Sequence, residues 1–286
     1  FLMILTAVSF VLLPKLPALH TWEVEAREER IAEEEFAQSQ VTMQNLKIKE
    51  QNEAAGAKGE LSIRLPEGVT GDQIAVSNDY VTQTIRVEIP QADRTYFDSY
   101  PVLGNSDYID GLSYTRQGET GVIEVTTNKV YELQTEYDTQ NFYFNFLTPH
   151  EVYDKVVVID AGHGGRAVGA NKQGINEKDI DLAIVLKLKE IFDNSDQNIG
   201  VYYTRTDDSN PTFDQRVQLA NKSDADLFIS IHNNSTRSGR MSGTSGTQVM
   251  YDETSEASRQ FAQICLEEVT GRIGSRDKGL VEGDSI

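Results

Sequence analysis

The chain has 286 residues, 45 acidic against 26 basic side chains, a formal charge of −19 at pH 7 and one cysteine. That length suits one or two domains with a buried core, and the acidity argues against nucleic acid or anionic membrane surfaces as main partners, because phosphate binding needs clustered Lys and Arg. The lone Cys265 excludes an intrachain disulfide and a Cys-rich zinc site, and its apolar-periodic surroundings read as a small buried side chain.

Phe1 to Leu13 is apolar except for Thr6 and Ser9. As a helix this run spans about 20 Å against a hydrocarbon core of about 30 Å. The chain opens on Phe, so the run reads as part of a longer hydrophobic segment. Residues 1–20 are therefore expected to be a partial signal peptide or membrane anchor, with a core helix as the alternative. Residues 21–59 follow as an acidic helical spacer rich in Glu, Ala, Gln and Lys. Its apolar positions Val24, Ile31, Phe36, Val41, Leu46 and Ile48 hold no single heptad register. That favours a solvated helix without chemistry over a coiled coil.

Over residues 60–150 the pattern changes to short alternating runs, as in Thr84–Ile89, Gly121–Thr126 and Phe142–Phe146, separated by turn-forming clusters. Period-two alternation predicts a small all-β accessory domain. Tyrosines recur from Tyr80 to Tyr143. They read either as a polymer-binding face or as amphipathic fillers of half-buried strands.

From 154 to 286 strands alternate with helices. Val156–Ile159, Ile199–Tyr203, Leu227–Ile231 and Thr247–Tyr251 are strand candidates. Ile180, Ala183, Ile184, Leu188 and Ile191 mark one apolar helix face, and helices are also expected over 212–222 and 255–270. The expected fold is α/β: a mixed sheet covered by helices in the catalytic domain, preceded by the small all-β domain, the hydrophobic segment and the spacer helix.

In such sheets sites gather beyond the carboxyl ends of the strands. His163 follows the first strand of this domain, His232 ends the strand after Ile231, and Glu177 opens the first helix. Two histidines and a carboxylate give a divalent metal three ligands and leave a fourth position open. Two other readings stand beside this one: Asp160 to Gly165 as a Gly-rich phosphate loop, and His163 as a hydrogen-bonded structural residue. His20 and His150 lie in linker-like sequence, and no G-x-S-x-G presents a serine nucleophile.

The run Val157–Gly165 (VVIDAGHGG) resembles the opening signature of the zinc-dependent N-acetylmuramoyl-L-alanine amidases of the amidase-3 family. The likeness continues in Gly174–Ala183, Tyr203–Asp207, Arg216-Val217 with Ala220-Asn221, Ser230–Asn234 and Gly246–Tyr251. It implies one Zn2+ held by His163, Glu177 and His232, and hydrolysis of the amide joining N-acetylmuramic acid to L-alanine in peptidoglycan. Asp160 is expected to orient a ligand histidine, and Asn234 to contact substrate or fix the strand end. Arg205 and Arg216 are expected to be internal salt-bridge partners. In the family the general-base glutamate lies on a later strand. Glu282, in Gly-flanked sequence, does not match it, so the base is expected beyond Ile286 and no catalytic base is assigned within the sequence. The implied setting is extracytoplasmic, membrane-anchored or secreted to the cell wall, with a protein regulator acting through the β domain. The alternatives are a stem-peptide zinc peptidase and a non-catalytic wall-binding or regulatory protein with a degenerate amidase domain.

Overall fold

The computed structural model describes residues 2–7, 18–39, 43–50, 58–233 and 245–283. Strand β1 (Leu2–Ala7) and helix α1 (Ala18–Ser39) come first. There follow β2 (Gln44–Asn45), β3 (Lys49–Glu50), β4 (Leu61–Arg64), β5 (Ala75–Asp79), β6 (Thr84–Pro90), α2 (Arg94–Ser99), β7 (Leu103–Gly104), β8 (Ile109–Gln117), β9 (Thr120–Thr127), β10 (Glu132–Tyr137), β11 (Asn141–Leu147) and α3 (Pro149–Val152). The remainder comprises β12 (Lys155–Ala161), β13 (Asn171–Lys172), β14 (Ile175–Asn176), α4 (Glu177–Asp193), β15 (Ile199–Tyr203), α5 (Phe213–Lys222), β16 (Leu227–Asn233), β17 (Thr247–Asp252), α6 (Glu256–Ile273) and β18 (Asp277–Gly283).

Two compact units result. One takes Phe1–Ser39, Lys155–Ala220 and Ala225–Ile286; the other takes Gln40–Asp154 and Asn221–Asp224. The second unit holds two five-stranded sheets, β10-β11-β4-β7-β3 and β2-β8-β9-β6-β5. Strands β6 and β11 alternate between buried and half-buried positions, and their inner faces, Phe144 of β11 among them, share a core with Leu61 and Ile123. The expected spacer over 21–59 is divided, because β2 pairs with β8 and β3 with β7, drawing its second half into these sheets. Tyr114 and Tyr131 are buried, and Tyr131 stacks on Phe146 at 5.5 Å. Packing accounts for these tyrosines, while Tyr100 and Tyr137 stay exposed.

The first unit is built on a six-stranded mixed sheet of order β15-β12-β16-β1-β17-β18. Strand β12 is buried from Val156 to Ala161 and pairs in parallel with β15 and β16, which suits its continuous apolar run. Strand β1 lies parallel to β16 and antiparallel to β17, with Thr6 opposite His232. The structure thus takes Leu2–Ala7 into the sheet where the sequence suggests an anchor, and no described helix is long and apolar enough to cross a membrane.

Helix α4 turns a different face to the sheet from the one its sequence suggests. Val185 is buried against Val157, Ile159 and Ile231, with Leu188 and Phe192 beside it. Ile180, Ile184 and Ile191 are exposed, Ile191 by 65%. The helix carries two apolar stripes, and seating Glu177 and Asp181 inward selects the one through Val185. Helix α6 packs Ala262 and Leu266 on Val249, with Cys265 at the margin, where burial pushes its thiol up to about 11.

Candidate metal centre

The loop after β12 is shaped for close approach. His163 has φ +59°, a left-handed conformation costing a non-glycine residue about 1–3 kcal/mol. Neighbouring bonds hold it there. Gly162 N donates to Ile231 O at 3.0 Å, Gly164 N to Ala167 O at 3.0 Å, and Arg216 Nη2 to the carbonyl of His163 itself at 2.8 Å. A Cβ at Gly162 would fall inside the His232 imidazole, and one at Gly169 would lie 2.6 Å from the His163 ring.

Glu177 is delivered from the other side. Strands β13 and β14 form a tight hairpin whose central residues, Gln173 and Gly174, both have positive φ (54° and 80°), the type I′ geometry. The chain then enters α4 directly at Glu177, where the helix dipole favours a carboxylate. Its Oε2 accepts from Ala170 N at 2.7 Å and its Oε1 from Asn233 N at 2.6 Å.

Three ligand atoms meet. His163 Nε2 lies 3.2 Å from Glu177 Oε1 and 3.2 Å from His232 Nδ1, and the remaining edge, His232 Nδ1 to Glu177 Oε1, is 3.4 Å. Ligands at 2.0–2.1 Å in a tetrahedral site stand about 3.3–3.4 Å apart, so this triangle has the size of one face of such a tetrahedron. Asp181, one turn beyond Glu177 on α4, adds a fourth donor, with all four ligand atoms within 4.8 Å of one another. It is fully buried; its Oδ1 accepts from Asn233 Nδ2 at 2.7 Å, while Oδ2 has no partner among the described residues.

The electrostatics call for a cation. Burial opposes the charge of Glu177, yet hydrogen bonds from His163 and His232 hold its carboxyl well below the usual range. Burial likewise opposes the His163 imidazolium, but Glu177 and Glu28 push its pKa up to about 10. Burial, then the Glu177 charge, raises Asp181 to about 8. Glu177 and Asp181 thus put two buried carboxyl groups beside one another, and burial together with the charge of the first keeps the second from ionising. A divalent cation bound by these donors would let both carboxylates ionise, so the donor set fits a metal in chemistry as well as in size.

Several expected residues sit differently. Asp160, 3% exposed, accepts from Arg216 Nη1 at 2.5 Å, Thr204 Oγ1 at 2.6 Å and Ser230 Oγ at 2.5 Å. These contacts brace the strands and reach His163 only indirectly, through Arg216 and the His163 carbonyl, and not through an imidazole ring. Arg216 forms the anticipated ion pair, whereas Arg205 clamps the carbonyls of Ala161, Gly162, Lys178 and Asp207. Glu282 lies on β18 against the Tyr251 hydroxyl at 3.1 Å, in a strand and not a loop. Asn234 falls outside the described residues. The sequence reading missed Asp181, Asn233 and Glu28. The spacing of Glu177 and Asp181, four apart on one helix, was the available signal for the first.

Residues 157–285 match the amidase-3 family, N-acetylmuramoyl-L-alanine amidase. Over 136 residues the chain is 38% identical to the uncharacterized protein YqiI of Bacillus subtilis (strain 168), covering 46% of this chain and 61% of that protein. Over 123 residues it is 33% identical to the N-acetylmuramoyl-L-alanine amidase CwlM of Bacillus licheniformis, covering 43% and 47%. Among solved structures it is similar to the catalytic domain of CwlV, an N-acetylmuramoyl-L-alanine amidase from Bacillus (Paenibacillus) polymyxa var. colistinus. That match has 35% identity and a TM-score of 0.41, covering 46% of this chain and 71% of that one. The chain spans about half the length of the curated relatives it matches. His163, Glu177 and His232 lie inside the stretch that matches the amidase-3 model.

Proposed function

We propose that the protein is a zinc-dependent N-acetylmuramoyl-L-alanine amidase that cleaves the amide between N-acetylmuramic acid and L-alanine in peptidoglycan. The observation that carries this reading is the ligand triangle of His163, Glu177 and His232, placed inside the matched amidase domain. These three residues would hold the zinc, which would supply Lewis-acid chemistry there: a bound water with its pKa lowered to about 7 and a polarised scissile carbonyl. Glu177 does two things at once: Oε1 serves the cluster, while Ala170 N and Asn233 N fix the carboxylate plane. Arg216 and Asp160 keep the His163 loop in its left-handed turn through the His163 carbonyl.

The substrate places the protein outside the cytoplasm, and the Gln40–Asp154 unit acts as an accessory domain for localisation or for a protein regulator. Export or anchoring through residues 1–20 is part of the same proposal. A segment threaded through a membrane is not also β1, so extraction of membranes with carbonate distinguishes the two placements: pelleted protein supports anchoring, and released protein supports the strand. For the activity, purified peptidoglycan is digested with the full-length protein and new amino termini are labelled. New N-terminal L-alanine, lost in Glu177→Ala, is the expected result. A different new terminus would indicate a stem-peptide peptidase, and zinc binding without any new terminus a non-catalytic wall protein.

A further inference from the structure

We propose that the metal centre is completed from outside the matched domain: Glu28, on helix α1, is the outer carboxylate partner of His163, which makes α1 a working part of the site. This rests on the metal-site reading above. His163 presents Nε2 to the ligand triangle, which leaves Nδ1 turned away from it. Glu28 Oε2 lies 2.9 Å from that Nδ1, with the two side chains only 18% and 14% exposed. An imidazole that binds a metal through Nε2 is neutral and carries its proton on Nδ1, so Nδ1–H donates to the Glu28 carboxylate. Such an acceptor fixes the tautomer, holds the ring plane and makes the ligating nitrogen more basic. Glu28 touches the far side of the ring and is not a member of the ligand cluster itself. It therefore acts as a positioning residue.

The placement of α1 is specific. Glu28, Ile31, Ala32 and Glu35 recur at i, i+3, i+4 and i+7, which is one helix face, and Ala32 on that face is 2% exposed. Glu35 accepts from Arg166 N and Arg166 Nε, both at 3.0 Å, and from Asn210 Nδ2 at 3.1 Å. Glu29 accepts from Phe213 N at 2.7 Å, at the start of α5, where the helix dipole favours a carboxylate. Anchors at Glu29 and Glu35 set the rotation and height of the helix, and with that register Glu28 meets His163. The acidic composition that reads as solvation in the sequence is, on this face, the docking chemistry.

The test measures zinc affinity of the full-length protein by competition with a chromophoric chelator, in wild type, Glu28→Gln, Glu28→Ala and Glu33→Gln. Glu33 is exposed on the same helix and serves as control. Losing an outer partner of this kind costs about 10–100-fold in metal affinity, so Glu28→Ala should lose that much and Glu33→Gln less than twofold. Long-range proton–nitrogen NMR of the zinc-loaded protein should show His163 protonated on Nδ1, with that proton's shift moved in Glu28→Gln. Affinities within twofold of wild type in both Glu28 variants, with the His163 shifts unmoved, overturn the proposal. Tighter zinc binding or faster hydrolysis in those variants also overturns it, and makes α1 a plug. An affinity loss matched by an equal loss of metal-free stability reduces Glu28 to a docking residue and overturns it too. If wild type binds no zinc, the metal-site reading itself fails, a result distinct from all of these.

Discussion

At the scale of single residues, the ligand cluster is held by groups that are not part of it. Asp160 and Arg216 form a buried ion pair with both side chains under 10% exposed. Removing one partner of such a pair strands the other charge, so Asp160→Asn should cost about 3–5 kcal/mol in urea unfolding at pH 7. Burial opposes the Asp160 charge, but Arg216, His232 and the hydroxyls of Ser230 and Thr204 hold its pKa down to about 2, against an ordinary 3.8. Because the folded value is depressed, this stabilisation is complete above the ordinary value and fades as pH falls towards 2. The gap between wild type and Asp160→Asn should therefore narrow on acidification; a gap that widens would contradict the assignment. Gly162 makes a second case. A methyl there collides with His232, so Gly162→Ala should weaken zinc binding in chelator competition while far-UV circular dichroism stays native. The sequence sets His163 just after a strand, His232 at the end of another and Glu177 at the start of a helix, and the structure brings the three side chains together. Asp160 was legible as important but not in its role, since its partners Thr204 and Ser230 are 44 and 70 positions away in sequence.

At the scale of elements, α4 shows how a site overrides hydrophobic periodicity. Its stripe through Ile180, Ile184 and Ile191 is as regular as a core face, yet that stripe is exposed and Val185 is fully buried. Turning Glu177 and Asp181 towards the histidines fixes the rotation, and an apolar count cannot detect that constraint. Val185→Ala should thus cost about 2 kcal/mol, at about 0.8 kcal/mol per methylene lost, whereas Ile191→Ala should stay within about 0.5 kcal/mol. Chemical unfolding of both variants checks the assignment, and the reverse order would restore the other face. Strand β1 and helix α1 show a related limit of sequence reading. A short apolar run and an acidic helix look alike in sequence whether they lie in a membrane, in solvent or against a sheet. Only their partners, β16 and β17 for the one and the His163 loop for the other, tell these settings apart.

At the scale of the whole molecule, the two units have separate cores, and the ligand cluster belongs to one of them. A ligand that binds only the folded state stabilises it by about 2.7 kcal/mol at a hundred times its Kd. Zinc at that level should raise the unfolding transition of the unit carrying β12 to β18, and a chelator should reverse the gain. The alternation of strands and helices after Pro149 was readable because parallel strands buried on both faces form continuous apolar runs, as in β12. The reach of the unit that carries the ligand cluster back to Phe1–Ser39 was not, since long-range pairing leaves no local mark. The most direct measurement of the central claim is zinc content per chain, by atomic emission, for full-length wild type, His163→Ala, Glu177→Ala and His232→Ala. One zinc is expected in wild type and substantially less in each variant. Undiminished zinc in all three variants would place the metal elsewhere and contradict the claim.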